Sequence, residues 1–505
     1  MESITYQQYP AKPVVVGNLS VLFMKQARFV PLHLEEDTLK IAMADPGDFY
    51  TVDALRLACN LRVEISQGRE EDILDAIERL YGTGSQSLEM IIEEAGRDAA
   101  DITSEGVVDA DHLRDLASEA PIIRLVNRLI LNAVEMRASD IHFEPFEKEF
   151  KVRYRIDGIL HDVESPPNRL KDAIISRVKI MAKMDIAERR LPRDGRIKLK
   201  VLDREIDLRV STLPTIYGES LVMRILDREA LILDLEKLGL PDDLLPQYVE
   251  LISKPYGMIL VTGPTGSGKT TTLYTTLAKI NSAENKIITL EEPVEYQLHG
   301  INQIQVNAKI GMTFANGLRS IVRQDPDIIL VGEIRDKETA ETAIQSALTG
   351  HLLFSTLHTN DAAGAVTRLL DIGVENFLLS STLLGILAQR LVRVICPHCK
   401  RRVEPEAKLV KAMNLSPAEA RSVEFFSGAG CEECKHTGFR GRIGIFEYLP
   451  VDDDIRREIT ARSSTERIKD VAQEKGLLTL RQDGWNKVKR GITTVSEVLR
   501  VTLEK

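Results

Sequence analysis

The sequence predicts an α/β protein in which a large domain built on a mostly parallel sheet follows two smaller α/β domains. Three observations carry this expectation. Short apolar runs alternate with helix-compatible stretches from about residue 241 onward. A glycine-rich loop, Gly263 to Thr270, stands between one apolar run and a helix-compatible stretch. Two Cys-x-x-Cys pairs, distant in sequence, mark a zinc-knuckle insertion in the same domain.

The size of the chain agrees with several domains. Its 505 residues exceed what one core holds, since single cores stop growing near about 250–300 residues. Apolar residues make up 43% and charged residues 28%, an ordinary globular composition. The net charge of −10 speaks against a general nucleic-acid binder, which needs a basic surplus to displace counterions from phosphates. The basic stretch from Lys179 to Lys200 is the local counter-evidence. The longest uncharged stretch, Thr342 to Asn360, is rich in Thr, Ser, Gln and Asn and is unsuited to lipid. Met1-Glu2-Ser3 opens without a basic n-region, so no signal peptide and a cytoplasmic location are expected.

Residues 1–82 form the expected first domain. Thr38 to Ala44 reads as a strand, Asp45-Pro46-Gly47-Asp48 as a turn, Asp53 to Cys59 as a helix and Leu61 to Ile65 as a strand. Ile73, Leu74, Ile77 and Leu80 then mark a helix by their spacing. No catalytic cluster is visible, so an interaction module is the default reading. Residues 83–120 read as an acidic, mobile linker, with ten acidic and two basic residues between Ser85 and Ala120. The second domain spans 121–226. Pro121 opens a helix whose apolar face is Ile122, Leu125, Val126, Leu129, Ile130 and Val134. A hairpin follows, with Ile197, Leu199 and Val201 on one strand and Ile206, Leu208 and Val210 on the other. Its alternation turns Asp207 and Arg209 to the opposite face. A strand from about Glu219 to Leu226 leads into a connector, 227–240. The third domain, 241–505, holds apolar strands at Met258–Thr262, Ile287–Leu290, Ile328–Val331 and Leu352–Leu357.

Gly263-Pro264-Thr265-Gly266-Ser267-Gly268-Lys269-Thr270 fits the pattern G-x-x-x-x-G-K-[ST] in its required strand-before, helix-after context. Its glycines let backbone N–H groups close around phosphate oxygens, and the helix start adds a favourable dipole. Lys269 would reach the β- and γ-phosphates and Thr270 would ligate Mg²⁺. With the adjoining Thr271, these residues are the candidate nucleotide-binding set. Asp327-Ile328-Ile329-Leu330-Val331-Gly332-Glu333 is an apolar strand ending in a carboxylate. Glu333 is the candidate for polarising the attacking water. Taken alone, a strand-end Glu is more often a solvated rim residue. Glu291, Glu292 and Glu295 lie just past another strand, where open α/β sheets bind ligands; a solvated acidic loop is the competing reading. His351 and His358 bracket a strand, and for each a functional role and a satisfied core or rim histidine are evenly matched readings.

Cys396-Pro397-His398-Cys399 and Cys431-Glu432-Glu433-Cys434 are separated by 31 residues. Four thiolates from two knuckles make a closed tetrahedral zinc site. The gap exceeds the usual spacing of about 15–20, so a subdomain of 396–434 is expected, with room for two helices between Lys400 and Ser427. A redox dithiol and unligated thiols are the alternatives. His398 and His436 read as exposed spacers, and Cys59 as a small buried apolar residue.

Together these residues resemble the secretion-ATPase superfamily, and within it the type II secretion and type IV pilus assembly ATPases. Ile287 to Glu295 is similar to the family's acidic box, Ile328 to Glu333 to its Walker B strand and Gly350 to His358 to its His box. Ala138-Ser139-Asp140-Ile141-His142-Phe143-Glu144-Pro145 matches a signature in the domain before the ATPase. The resemblance implies a RecA-like P-loop ATPase domain, with catalytic roles for Lys269, Glu292, Glu295, Glu333 and His358. It implies that Arg209 and Arg224 of the second domain complete the nucleotide site, and that Arg319 and Arg323 lie near the phosphates. Read from the residues alone, Arg209 and Arg224 are surface charges. One departure is Glu292, a methylene longer than the Asp usual there, which alters its reach toward a metal-bound water.

The resemblance further implies ATP, Mg²⁺ and Zn²⁺ as ligands and a hexameric ring on the cytoplasmic face of a bacterial inner membrane. The first domain would dock onto the cytoplasmic part of an inner-membrane protein, and a polytopic membrane platform protein would be a second partner. ATP turnover would drive assembly of a pilin-like filament that helps export folded proteins. The chain length and the Cys-x-x-Cys insertion resemble type II secretion more than the longer pilus-assembly or the retraction-type relatives. Some relatives bind cyclic-di-GMP through Arg-Leu-Gly repeats; none is present here, so no such binding is expected. The alternatives are a pilus-assembly or DNA-uptake ATPase, and a nucleotide-gated assembly scaffold with little turnover.

Overall fold

The computed structural model describes residues 113–227, 234–404, 407–413 and 423–502 apart from isolated positions, most of 23–81, and scattered positions before residue 23. The chain divides into two compact units, residues 1–225 and 226–505. Most of the expected acidic linker, and the side chain of Cys59, lie outside the described residues.

The first unit contains two separate cores. In one, β1 (Phe29–Glu35), β2 (Thr38–Met43) and β3 (Arg62–Gln67) form a three-stranded sheet. β1 and β2 are antiparallel, whereas β2 and β3 run parallel. A parallel pair needs a crossover, and the helix Phe49–Cys59 supplies it, starting four residues earlier than its apolar spacing predicts. Ile73 and Ile77 of the helix Glu70–Tyr81 are fully buried, but Leu74 of the same expected face is exposed.

The other core lies behind a six-stranded sheet in the order β6-β5-β4-β9-β8-β7. Its strands are β4 (Ala138–Pro145), β5 (Phe150–Ile156), β6 (Ile159–Asp162), β7 (Arg193–Val201), β8 (Arg204–Thr215) and β9 (Gly218–Asp227). The hairpin β7–β8 is antiparallel, with Ile197, Ile206, Leu208 and Val210 buried in the core. Asp207, on the opposite face, is held by Arg196. The helix Ala120–Glu135 buries the predicted face, although Val134 is only partly covered. Leu116 also packs on this core, so the segment expected to be linker is already ordered before Pro121. β4, β5 and the helix Lys171–Met181 escaped the sequence reading; β5 alternates buried and half-buried residues under a run of charged side chains.

The second unit is built on a seven-stranded sheet, β12-β11-β13-β14-β10-β15-β18. The strands are β10 (Gly257–Thr262), β11 (Ile287–Glu291), β12 (Asn302–Gln305), β13 (Ile328–Val331), β14 (Leu352–Leu357), β15 (Leu383–Ile395) and, after a two-stranded insertion of β16 (Lys400–Val403) with β17 (Phe425–Gly428), β18 (Phe439–Pro450). β10 to β15 pair in parallel, and β18 alone pairs antiparallel. Successive residues of each central strand serve different cores. Met258 and Leu260 enter one, while Ile259 and Val261 enter the other. Helices therefore cover both faces, which explains the continuous apolar runs. The expected connector is packed from Leu235 onward, with Leu235, Leu238 and Leu240 in the second of these cores; residues 228–233 lie outside the described residues.

The insertion holds two strands that its spacing does not announce. Among the described residues, the strands β16 and β17 pair antiparallel and flank a short helix, Ala407–Ala412; residues 405–406 and 414–422, where the second expected helix would fall, lie outside the described residues. Arg401 and Arg402 keep β16 exposed, so no apolar period announces it.

Candidate functional site

Parallel strands end at a common sheet edge, and four loops converge there. Register brings Thr262 beside Leu357, Leu290 beside Val331 and Val331 beside Ser355. The loops after β10, β11, β13 and β14 thus carry the glycine-rich loop, the acidic run, Glu333 and His358 to one crevice.

The loop opens with Gly263 at φ 153° and continues through Gly266 at 78° and Gly268 at 90°. A Cβ on Gly263 would meet the Gln389 carbonyl oxygen at 2.5 Å, so close approach as well as dihedral demands glycine there. Gly268 precedes the helix Lys269–Ile280 directly. Lys269 Nζ donates to the carbonyls of Gly263 at 2.6 Å and Pro264 at 3.1 Å, placing its charge over the loop. Burial depresses the Lys269 ammonium from 10.5 to about 8; the Glu333 carboxylate counters this and the Arg390 guanidinium adds to it. Pro264, Thr265, Gly266 and Thr270 are exposed, Thr271 is half-buried, and the buried Ser267 hydroxyl has no hydrogen-bond partner. A hydroxyl donor of this kind at the loop fits a phosphate oxygen. The exposed Thr270 hydroxyl, next to Lys269, is a hard oxygen donor suited to Mg²⁺.

Two basic side chains face Glu333. His358 Nε2 lies 3.3 Å from one carboxylate oxygen and Arg335 Nη2 2.5 Å from the other. Arg335 also approaches Glu292 at 3.9 Å, so it bridges the β11 and β13 loops. Arg335 leaves one faint signal in the sequence, its place two residues past the strand-end carboxylate. The acidic run separates into different environments. Glu291 is buried and accepts from the hydroxyls of Tyr274 and Thr289 and from the Gln303 amide. Glu292 is exposed, and its bond to Pro293 is cis. Glu295 is half-buried, with its backbone N–H donating to the Tyr274 hydroxyl at 3.3 Å.

Arg319 and Arg323 are exposed on the segment 314–324. Arg319 pairs with Glu338 at 2.7 Å, and Arg323 donates to the Arg319 carbonyl. None of these partners belongs to the loop. In the first unit, Arg224 donates to Asp140 at 3.1 Å and Arg209 lies on β8. His351 is held by the Ser346 carbonyl at the opposite end of β14 from His358.

The Sγ atoms of Cys396, Cys399, Cys431 and Cys434 lie within 4.8 Å of one another. The pairs Cys396–Cys431 and Cys399–Cys434 stand 3.8 Å apart, and Cys431–Cys434 3.7 Å. Four sulfurs each about 2.3 Å from a tetrahedral zinc would be about 3.8 Å apart. The donor set therefore fits zinc. Backbone N–H groups of Cys431 and Gly438 point at Cys434 Sγ and Gly430 N–H at Cys399 Sγ, the polarity that favours thiolates. His398 and His436 are exposed, as expected of spacers.

A family described as "Type II/IV secretion system protein" matches residues 115–500. The chain belongs to this family. It is an ATP hydrolase of the secretion type, with the fold of that family. A second family, the MshEN domain, matches residues 1–87. The type II secretion system protein E of Xanthomonas campestris is 52% identical over 487 residues, covering 96% of this chain and 85% of that protein. The type IV pilus assembly ATPase PilB of Myxococcus xanthus is 44% identical over 500 residues, covering 98% and 88%. The crystal structure of the pilus retraction motor PilT with bound ADP is 28% identical, covers 74% of this chain and 96% of its own, and superposes with a TM-score of 0.51. Among the described residues, no helix is long and apolar enough to cross a membrane.

Two outcomes follow from this geometry. Purified protein should carry one zinc per chain. Chelation or Cys434→Ser should lower the melting temperature of the second unit and expose residues 396–439 to hydrogen exchange, because such sites contribute about 10–16 kcal/mol of apparent binding energy to ordering. The second concerns pH. Phosphate would hold the Lys269 ammonium charged, so binding above pH 8 must take up a proton. Nucleotide affinity should weaken by up to about tenfold per pH unit above that point, and Lys269→Arg, charged throughout, should flatten the profile in a fluorescent-nucleotide titration.

Proposed function

We propose that this chain is the Mg²⁺-dependent ATPase motor of a type II secretion machine, driving assembly of a pilin-like filament. The observation that carries the reading is the convergence, at one sheet edge, of the Lys269 loop with a Glu333 carboxylate held by His358 and Arg335. The likeness to the Xanthomonas protein over nearly the whole chain supplies the context. ADP bound to the related PilT fold supports a nucleotide in this crevice.

Loop N–H groups and Lys269 bind the β- and γ-phosphates. Thr270 would hold a divalent cation, which when bound would neutralise phosphate charge. Glu333 orients the attacking water and accepts its proton, with His358 and Arg335 fixing the carboxylate. Glu292 and Glu295 line the approach on the β11 side, and the exposed Glu292 is the one directed toward solvent. Such chemistry depends on positioning and charge stabilisation rather than on covalent intermediates.

The remaining assignments extend this reading. Six copies form a ring, in which Arg209 and Arg224 complete a nucleotide site; Arg319 and Arg323 approach the phosphates after exchanging their local partners. Residues 1–82 dock onto the cytoplasmic part of an inner-membrane protein, 83–120 tether them, and 121–226, 227–240 and 241–505 act as the second domain, connector and motor. A polytopic inner-membrane platform protein receives the motion, and attachment to the membrane is peripheral. The PilB likeness favours pilus assembly as the second reading. DNA uptake is disfavoured by the net charge, and a passive scaffold by the Glu333 carboxylate at the end of β13.

The test is phosphate release with Mg²⁺-ATP across protein concentration. The rate per subunit should rise with concentration and fall at least about 10²-fold in Glu333→Gln, while ATP binding persists. A Glu333→Gln variant that hydrolyses ATP normally rejects the assignment. Deleting residues 1–82 should spare hydrolysis and abolish recruitment to membranes carrying the secretion machine; sedimentation with those membranes reads the difference.

A further inference from the structure

β15 overhangs its neighbour. Its pairing with β10 ends at Thr262↔Ala388, whereas β15 continues to Ile395. The next two residues, Gln389 and Arg390, therefore stand beside the glycine loop, and both are buried. Gln389 Oε1 accepts from Thr272 Oγ1 at 2.7 Å, in the first turn of the helix after the loop. Its Nε2 sits 2.8 Å from where a Cβ on Gly268 would be. Arg390 Nη1 sits 3.2 Å from where a Cβ on Gly263 would be. Arg390 Nη2 donates at 3.1 Å to both the backbone and side-chain oxygens of Asn360, two residues past His358. Thr262 Oγ1 meets Thr359 Oγ1 at 2.7 Å, closing the same junction from the other side.

We propose that Gln389 and Arg390 are positioning residues for nucleotide hydrolysis: Gln389 fixes the helical end of the glycine loop, and Arg390 ties its strand end to the loop bearing His358. The physical case is the fork of the guanidinium. It offers directed donors from one rigid plane, and a buried cation beside Lys269 deepens the anion-attracting field of the crevice. The charges around it are known on each side. Glu333 from the β13 loop and Arg390 act on Lys269; Glu447 of β18 and Asp361 from the β14 loop act on Arg390. Neither residue touches the reacting atoms. Their effect runs through the placement of Lys269 and His358, and so rests on the nucleotide-site reading above.

The experiment uses the full chain and a fluorescent ATP analogue titrated from neutral to alkaline pH, beside kcat. Arg390→Met should lower kcat about 10- to 100-fold, and should move the pH at which affinity declines upward, because a like charge beside Lys269 is gone. Arg390→Lys keeps the charge but not the fork; it should lose kcat with the midpoint in place. Asn360→Ala, on an exposed residue, should reproduce that kcat loss, which covers the case of an Arg390→Met chain that does not fold. Gln389→Ala should lower kcat more than it weakens binding. A folded Arg390→Met variant with an unmoved midpoint or unchanged kcat overturns the proposal, as does unchanged kcat in both Asn360→Ala and Arg390→Lys. If instead Lys269→Ala binds ATP undiminished, the nucleotide-site reading itself fails.

Discussion

Burial of one parallel sheet on both faces is the constraint on which this structure depends. Every residue of β10, β11, β13 and β14 is buried. Their backbone groups are spent in lateral pairing, and their side chains are divided between two cores. The candidate site groups Lys269, Glu333 and His358 accordingly lie beyond the strand ends, while polar residues inside the strands, such as Thr289 and Glu291, are buried and hydrogen-bonded. Because the strands are parallel and in register, the loops at their ends emerge at one edge. A one-residue slip in β13 would exchange the residues serving the two cores and carry Glu333 away from His358 and Arg335.

Charge in the crevice is arranged in two groups. Lys269 and Arg390 provide cations beside the glycine loop, and Arg335 bridges the carboxylates Glu333 and Glu292 of the β13 and β11 loops. Glu291 stands apart. Its carboxylate is buried under Tyr274, Thr289 and Gln303, and the Tyr274 hydroxyl is pushed strongly upward by burial and by that neighbouring charge. Glu291 therefore braces the helix of the glycine loop against β11, and the adjacent Glu292 faces solvent. Glu291 closes a strand buried on both faces, whereas Glu292 lies in the loop past the strand end, and this gives the neighbouring carboxylates their opposite roles.

The cysteine cluster belongs to the same construction. It closes the ends of β15 and β18, whose pairing runs from Gly385↔Pro450 to Ile395↔Phe439. Farther along β18, Glu447 accepts from the Ala362 N–H at the start of the helix after β14. The cluster thus sits at one end of a two-stranded arm whose other residues border the glycine loop and the β14 loop. Val392, Ile445, Trp485 and Leu499 give that arm a core of its own.

Much of the motor domain was legible in sequence because its signals are local. Apolar runs name strands buried on both faces, Gly263 to Thr270 names a loop, and Cys spacing names a cluster of four thiols fit for zinc. β4 and β5 were harder to read, since half-buried strands carry charged side chains such as Arg153 and Arg155 on the outer face. β16 and β17 are not announced by the sequence, because short strands with exposed residues have no period to show. Tertiary structure alone decided which residues meet. Arg335 beside Glu333, Gln389 beside Gly268 and Arg390 beside Asn360 are contacts between separate strands and loops. Residue types and spacing determined what chemistry this chain can hold. Strand order and register determined which groups share it, because a contact between distant segments is set by the packing of the whole sheet and leaves no period along the chain.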